Sequence, residues 1–149
     1  MRRPPEPGGK RLFDRAGFAA AVFARDRHRC VACGAPAEDA HHILDRKLFP
    51  DGGYYLDNGA SVCGPCRVLA EKTLLGVEAL REACGITDPA LPPGFAADRR
   101  YDKWGNEMLP DGRRVPGPLI ADDGARKILA LAGILWSGCF RDESGRPTV

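Results

Sequence analysis

Apolar residues recur at helical spacing in three stretches of the chain, which predict helices over residues 14–27, 65–83 and 123–140. Two shorter runs with β-forming character, residues 40–44 and 60–62, lie between the first and second of these helices. Glycine- and proline-rich loops separate the elements. The order helix, strand, strand, helix and final helix is that of an α+β fold.

Single residues refine this outline. Asp14 is a suitable N-cap for the first helix, and Gly76 interrupts the second helix and is expected to divide it. Tyr101, Trp104 and Trp136 are expected to be packing anchors. The apolar face of the final helix is expected either in the core or in a homodimer interface, and the sequence alone does not separate these.

A change in composition divides the chain into three parts. Residues 1–10 are charged and rich in proline and glycine, which predicts a disordered arm. Residues 11–87 hold the first two helices and both strands and are expected to form the globular part. Residues 88–149 form a C-terminal extension, irregular at first and ending in the amphipathic helix.

The composition bounds the class of protein. The 149 residues are 44% apolar and 28% charged, as in ordinary soluble domains, but the 13 prolines and 18 glycines require many loops. The core is therefore expected to be modest, and a structural metal contributes most in such a chain. A net charge of +2 is no evidence for a nucleic-acid partner. The N-terminal residues resemble neither a signal peptide nor a membrane anchor, so we expect a cytoplasmic protein with no membrane partner.

Cysteine spacing predicts a zinc site. Four of the six cysteines form two CxxC pairs, each offering two thiolates from one tight turn. The four are Cys30, Cys33, Cys63 and Cys66. In a chain without an export signal, such pairs favour zinc over disulfide bonds. Cys84 and Cys139 are left over and are expected to be buried free thiols.

Two adjacent histidines, His41 and His42, lie between the CxxC pairs and are not needed by a four-cysteine zinc site. Because neighbouring side chains of a strand point to opposite faces, one imidazole is expected to bind a metal and the other to contact a different group. Imidazole titrates in the range that a general base needs, and phosphodiester hydrolysis requires a base and a cation. Asn58 follows a glycine-rich loop, from which its amide can hold the histidine segment, although alone it would indicate a simple turn.

The pattern resembles the HNH endonucleases of the His-Me-finger (ββα-metal) superfamily, over about residues 18–83. The matching residues are Arg25-Asp26, Cys30-x-x-Cys33-Gly34, His41-His42-Ile43, Leu56-Asp57-Asn58 and Cys63-x-x-Cys66. The resemblance implies a hairpin of strands 40–44 and 60–62 in a small finger braced by zinc. It also implies that His42 is the general base, that His41 binds a catalytic Mg²⁺ or Mn²⁺, and that Asn58 pins the loop.

One position departs from the family's pattern. The family usually has a third histidine, another ligand of the catalytic metal, directly after the last CxxC cysteine, where this chain has Arg67. Arginine has no lone pair for a metal. Glu71, one helical turn further on, is the candidate replacement ligand; alternatively, Arg67 clamps the substrate phosphate, or the site is decayed. Arg46 and Lys47, in the loop after the histidines, are expected to face that phosphate.

Three functions follow from these residues. The first is an HNH-type endonuclease that hydrolyses phosphodiester bonds in DNA, with one divalent metal ion, a histidine general base and a structural Zn²⁺. The second is a catalytically inactive, zinc-braced module that binds nucleic acid or protein. In the third, the extension over residues 88–149 carries the function and the finger is only a scaffold.

Overall fold

The structure is a computed structural model that describes residues 10–141, 144 and 146–148, so residues 1–9 of the predicted arm lie outside the described residues. Lys10, the last residue of that arm, donates hydrogen bonds to the Asp57 carboxylate (2.7 Å) and to the Asp88 carbonyl (2.6 Å). The described part of the chain forms four α-helices and two small antiparallel sheets, which confirms the α+β class. None of these helices is long and apolar enough to cross a membrane.

The elements follow one another in the predicted order. The helices are α1 (Arg15–Arg25), α2 (Gly64–Glu71), α3 (Val77–Cys84) and α4 (Asp123–Leu131). The strands are β1 (Asp39–His42), β2 (Gly59–Val62), β3 (Glu107–Met108) and β4 (Arg114–Val115). β1 pairs antiparallel with β2, and β3 with β4. Two short 3-10 helices, Arg46–Leu48 and Leu56–Asn58, lie in the loop between β1 and β2.

Helix α1 packs directly on the β1–β2 hairpin. Its N-cap is the predicted one, because the Asp14 carboxylate accepts a hydrogen bond from the Gly17 N–H at 2.7 Å. Phe18 and Val22 form its buried face. A Cβ atom on Gly59 would lie 2.4 Å from Val22 and 2.8 Å from Phe18, so only glycine allows the strand to approach the helix this closely.

The residues at the end of α1 fasten the hairpin. The Asp26 carboxylate accepts a hydrogen bond from the Ser61 N–H (2.9 Å), and the Arg25 guanidinium donates to the carbonyls of Leu56 (2.8 Å) and Gly59 (2.6 Å). Arg25 and Asp26 also form an ion pair at 2.8 Å. Burial opposes ionisation of Asp26, but the hydrogen bonds from Arg25 and Ser61 outweigh it and lower the pKa of this carboxyl.

The helices after the hairpin depart from the predicted bounds where glycine intervenes. The stretch predicted over residues 65–83 is divided into α2 and α3, and Gly76 is the N-cap residue of α3, as expected. Helix α4 is shorter than predicted, because Gly133 adopts a φ of 75° just after its end. Trp136 is 70% exposed and is not a packing anchor, whereas Tyr101 and Trp104 are buried as expected.

Two clusters of buried side chains form the core. The larger one lies between the β1–β2 hairpin, α2 and α3, with Ile43, Leu44 and Val62 fully buried. The smaller one lies around Trp104 and the buried face of α4. Leu119 packs against both clusters, so the C-terminal extension is continuous with the globular part.

Candidate functional site

The cysteines of the two CxxC pairs converge on one point. Their sulfur atoms all lie within 4.8 Å of one another, and this is the one such group of three or more His, Cys, Asp or Glu side chains within the described residues. The members are Cys30, Cys33, Cys63 and Cys66. The first pair follows α1 in a turn closed by Gly34 (φ 81°), and the second pair opens α2. Four cysteines are thus positioned to hold a metal ion such as zinc.

The ionisation of these thiols suits a bound cation. Burial disfavours the Cys30 thiolate, but backbone hydrogen bonds from Cys63 and Cys33 outweigh it and lower its pKa to about 6. Hydrogen bonding to the Cys63 sulfur, together with burial, raises the pKa of Cys66. Once one of these crowded thiols is ionised, a second is harder to ionise because the two negative charges repel each other. A divalent cation at the centre of the group would remove that repulsion.

The two remaining cysteines lie outside this group. Cys84 and Cys139 are free thiols, as expected, but both are only half-buried. Burial raises the pKa of the Cys84 thiol to about 11. A neutral thiol of this kind is a poor metal ligand and a poor nucleophile.

A second site lies in a cavity of about 430 Å³ beside β1, lined by both His41 and His42. Residues of α1, Glu71 at the end of α2, and Lys103 are among the other residues that line it. The Nε2 atoms of both histidines are buried, and neither has a hydrogen-bond partner among the described residues. Because buried polar atoms are nearly always paired, two such nitrogens on residues that line one cavity indicate a place for a proton donor or a cation.

The imidazole of His42 is held by aromatic rings. It stacks on Phe18 (4.7 Å between ring centroids, 21° between planes) and meets Tyr54 edge-on at 4.9 Å. Burial and then the nearby Lys103 lower the pKa of His42 to about 4, while a hydrogen bond from the ring to the Gly52 backbone acts in the opposite direction. The ring is therefore neutral at neutral pH. Because Nε2 has no partner, Nδ1 is the nitrogen left for the hydrogen bond with Gly52.

The neighbouring imidazole of His41 is more deeply buried, with 4% of the residue exposed. Burial lowers the pKa of His41 well below its usual value, and the positive charges of Lys103 and Arg67 lower it further. A neutral imidazole with an unpartnered Nε2 is in the form that ligates a metal. In the hairpin His41 lies opposite Ala60, so no large neighbouring side chain crowds its cross-strand position.

Asn58 braces the loop that follows the histidines, and it is 1% exposed. Its Oδ1 accepts a hydrogen bond from the Leu44 N–H at 3.0 Å. Its Nδ2 donates to the carbonyls of Leu44 (3.0 Å) and Gly53 (3.3 Å). The side chain thus ties the segment after His42 to the glycine turn of the same loop, which is the arrangement that the sequence pattern predicts.

Of the other predicted site residues, two line the cavity and two do not. Arg46 and Glu71 line the cavity, whereas Arg67 and Lys47 are not among the described residues that line it. Arg67 pairs with Glu71 at 3.0 Å, one helical turn away. Lys47, expected to face a phosphate, instead pairs with Asp122 at 3.1 Å, because this N-cap carboxylate of α4 lies within reach.

Sequence reasoning missed three residues of this region. Asp39 lies two residues before His41 in β1, so the two side chains share a face of the strand, and Asp39 lines the cavity. That spacing was a readable signal. The carboxylate of Glu38 accepts a hydrogen bond from the Gly64 N–H at the start of α2. Lys103, from the C-terminal extension, donates to the His42 carbonyl, and no local pattern indicates this contact.

Charges of both signs line the cavity. The cationic residues are Arg15, Arg46 and Lys103, and the acidic residues are Glu38, Asp39, Asp45 and Glu71. A mixed lining of this kind suits a ligand that brings an anion and a cation together, such as a phosphodiester with a divalent metal ion.

Comparison of the chain with protein-family models, with curated proteins and with solved structures finds no match. The resemblance to HNH endonucleases therefore stays a prediction.

Proposed function

We propose that this protein is a metal-dependent endonuclease of the HNH type that hydrolyses phosphodiester bonds in DNA. The observation that carries the proposal is the pair of buried, unpartnered Nε2 atoms of His41 and His42, two residues that line one cavity together with charged groups of both signs. The order of β1, β2 and α2, with the cysteine group at the start of α2, supports it.

The four sulfurs fit the structural metal that this function needs, and the histidine cavity holds donor types that suit the catalytic metal. Four converging sulfurs suit a structural Zn²⁺. The orphaned Nε2 of His41, with the carboxylates of Asp39 and Glu71 in the same cavity, offers the nitrogen and oxygen donors that Mg²⁺ or Mn²⁺ accepts. When bound there, the divalent ion would neutralise charge on the scissile phosphate and the leaving oxygen.

In this proposal His42 is the general base. Its neutral imidazole takes a proton from a water molecule at Nε2, while the water oxygen bonds to phosphorus and the bond from phosphorus to the leaving oxygen breaks. A phosphate anion beside the ring favours the imidazolium and brings the pKa of His42 up from about 4. Phe18 and Tyr54 keep the ring in one orientation, and Asn58 keeps the loop in place.

One observation favours a second candidate, a non-catalytic module that binds nucleic acid or protein. Arg67 stands where the family has a metal-binding histidine, and its guanidinium forms an ion pair with the Glu71 carboxylate. The described residues bring no three hard ligands together around His41. A site with these properties can bind a phosphate without cleaving it.

Cleavage of supercoiled plasmid DNA with Mg²⁺ or Mn²⁺ tests the proposal. We expect nicking by the wild-type protein and a loss of roughly 10²-fold or more in His42→Ala, the scale of a lost general base. His28→Ala, which removes an exposed histidine, is the matched control and should cleave like wild type. Zinc content should be equal in all three proteins. If the wild-type protein cleaves neither DNA nor RNA with either metal, the binding module takes the place of the nuclease.

A further inference from the structure

We propose that Lys103 binds the substrate in the histidine cavity, where its ammonium group contacts a phosphodiester oxygen without the help of a divalent cation. The inference rests on the function proposed above and extends it to a residue of the C-terminal extension. It concerns binding, so it can be tested apart from cleavage.

The hydrogen bonds of Lys103 leave one donor for a ligand. The residue is 6% exposed and lines the cavity. Its Nζ donates to the His42 carbonyl at 3.0 Å and to the Asp45 carboxylate at 3.3 Å, and lies 5.0 Å from the centre of the Trp104 ring. An ammonium group has three N–H donors. The third has no hydrogen-bond acceptor among the described residues.

The backbone around Lys103 holds this ammonium group in place. The Lys103 carbonyl accepts a hydrogen bond from the Asp45 N–H at 2.9 Å. The Trp104 indole donates to the Glu71 carbonyl at 2.7 Å, and the Asp102 carboxylate accepts from the Trp104 N–H at 2.9 Å. The lysine therefore enters the cavity from a turn tied to both the histidine loop and α2, and little ordering remains to be done when a ligand binds.

The positive charge of Lys103 itself favours an anion as that ligand. After burial, Lys103 is the first group that lowers the pKa of both His41 and His42, so its charge reaches both imidazoles. The rest of the lining carries charges of both signs: two positive charges from Arg15 and Arg46, and four negative charges from Glu38, Asp39, Asp45 and Glu71. A phosphate oxygen is therefore favoured at the ammonium group itself, while the carboxylates of the same lining can still attract a divalent cation.

The first test is DNA binding by the 149-residue, zinc-loaded protein in buffer freed of Mg²⁺ and Mn²⁺. Fluorescence anisotropy with short labelled single-stranded and duplex DNA gives the dissociation constant at several salt concentrations. We expect Lys103→Met to bind about tenfold more weakly, with a salt dependence reduced by about one ion, because one charge-assisted phosphate contact is lost. Lys127→Met removes an exposed lysine of α4 and should bind like wild type.

A second pair of variants separates substrate binding from a structural role of the Lys103–Asp45 ion pair. Asp45→Asn releases the ammonium group from its carboxylate, and asparagine remains a suitable cap for the turn that follows. We expect this variant to bind DNA at least as tightly as wild type, whereas a purely structural pair would lose binding in either variant. Lys103→Arg keeps the charge and should retain most of the binding. Both variants decide the question even if Lys103→Met fails to fold.

Two results would overturn the inference. One is equal affinity and equal salt dependence in Lys103→Met and Lys127→Met. The other is a wild-type protein that binds DNA only when Mg²⁺ or Mn²⁺ is added. If Lys103 is needed for binding but the protein never cleaves, the inference stands and the proposed nuclease activity fails.

Discussion

The cysteine centre and the histidine cavity are assembled in different ways. All four sulfurs come from two short CxxC turns, one after α1 and one at the start of α2. The cavity is lined by α1, by β1, by the loop at Arg46–Leu48, by α2 and by Lys103 of the C-terminal extension. The cysteine centre needs only two local turns to meet across the β1–β2 hairpin, whereas the cavity depends on contacts between many parts of the chain.

The largest effect should come from breaking the cysteine centre. Removal of the metal by a chelator, or Cys63→Ser, should abolish cooperative folding, because a structural zinc contributes about 10–16 kcal/mol of binding free energy in small domains. That is comparable to the whole stability of a domain, about 5–15 kcal/mol. Thermal melts with metal analysis are the measurement. Cys139→Ser, outside the centre, is the control and should melt near wild type. A protein without zinc, or Cys63→Ser melting like wild type, contradicts this.

A smaller loss of stability should follow from removing the brace of the histidine loop. Asn58→Ala takes away the partners of the buried Leu44 N–H and carbonyl, which should lower the free energy of unfolding by about 2–4 kcal/mol in urea titrations. Unlike loss of the zinc, this should leave a folded protein.

Asn106→Ala is the matched comparison for Asn58→Ala. Its buried amide also holds a turn, through the Asp102 carboxylate (3.0 Å) and the Gly117 N–H (2.8 Å). We expect a loss of similar size, and one shared unfolding transition if the two core clusters form a single cooperative unit. A change of less than about 0.5 kcal/mol in Asn58→Ala, the range of ordinary surface substitutions, would show that the amide does not brace the loop.

The smallest effect concerns the ion pair at the edge of the cavity. Arg67→His should release the Glu71 carboxylate and add an imidazole, and so lower severalfold the metal concentration at half-maximal cleavage. Glu71→Ala should raise it. Stability should hardly change, since an ion pair between residues one turn apart on a helix contributes about 0.3–0.5 kcal/mol. Glu82→Ala removes an exposed glutamate of α3 outside the cavity and serves as the control.

Two other outcomes of these titrations are informative. If Arg67 clamps the phosphate, Arg67→His should weaken DNA binding and leave the metal requirement unchanged. Identical metal titrations for wild type, Arg67→His and Glu71→Ala would show that neither Arg67 nor Glu71 affects metal binding at the site.

Local chemistry explains why parts of the fold could be predicted. Asp14 caps α1 through its own side chain, and Gly76 marks the start of α3 because a glycine disfavours a continuous helix. The same reasoning overextended α4, since the apolar spacing continues past Gly133 while the backbone does not. Trp136 was misjudged for a related reason: residue type indicates what a side chain prefers, and only packing decides whether a neighbour covers it.

The amino-acid sequence by itself determined the α+β class, the order of the elements, the four converging cysteines and the histidine pair between them. Most of these depend on residues close together in the chain or on a spacing set by one turn or strand. The two CxxC pairs are 30 residues apart and meet because the β1–β2 hairpin folds between them. The tertiary structure alone decided that Lys103 reaches His42, that Lys47 turns to Asp122, and which charges share the histidine cavity. Such contacts join residues far apart in sequence, and they form only where the packing of the whole chain brings the groups within hydrogen-bond distance.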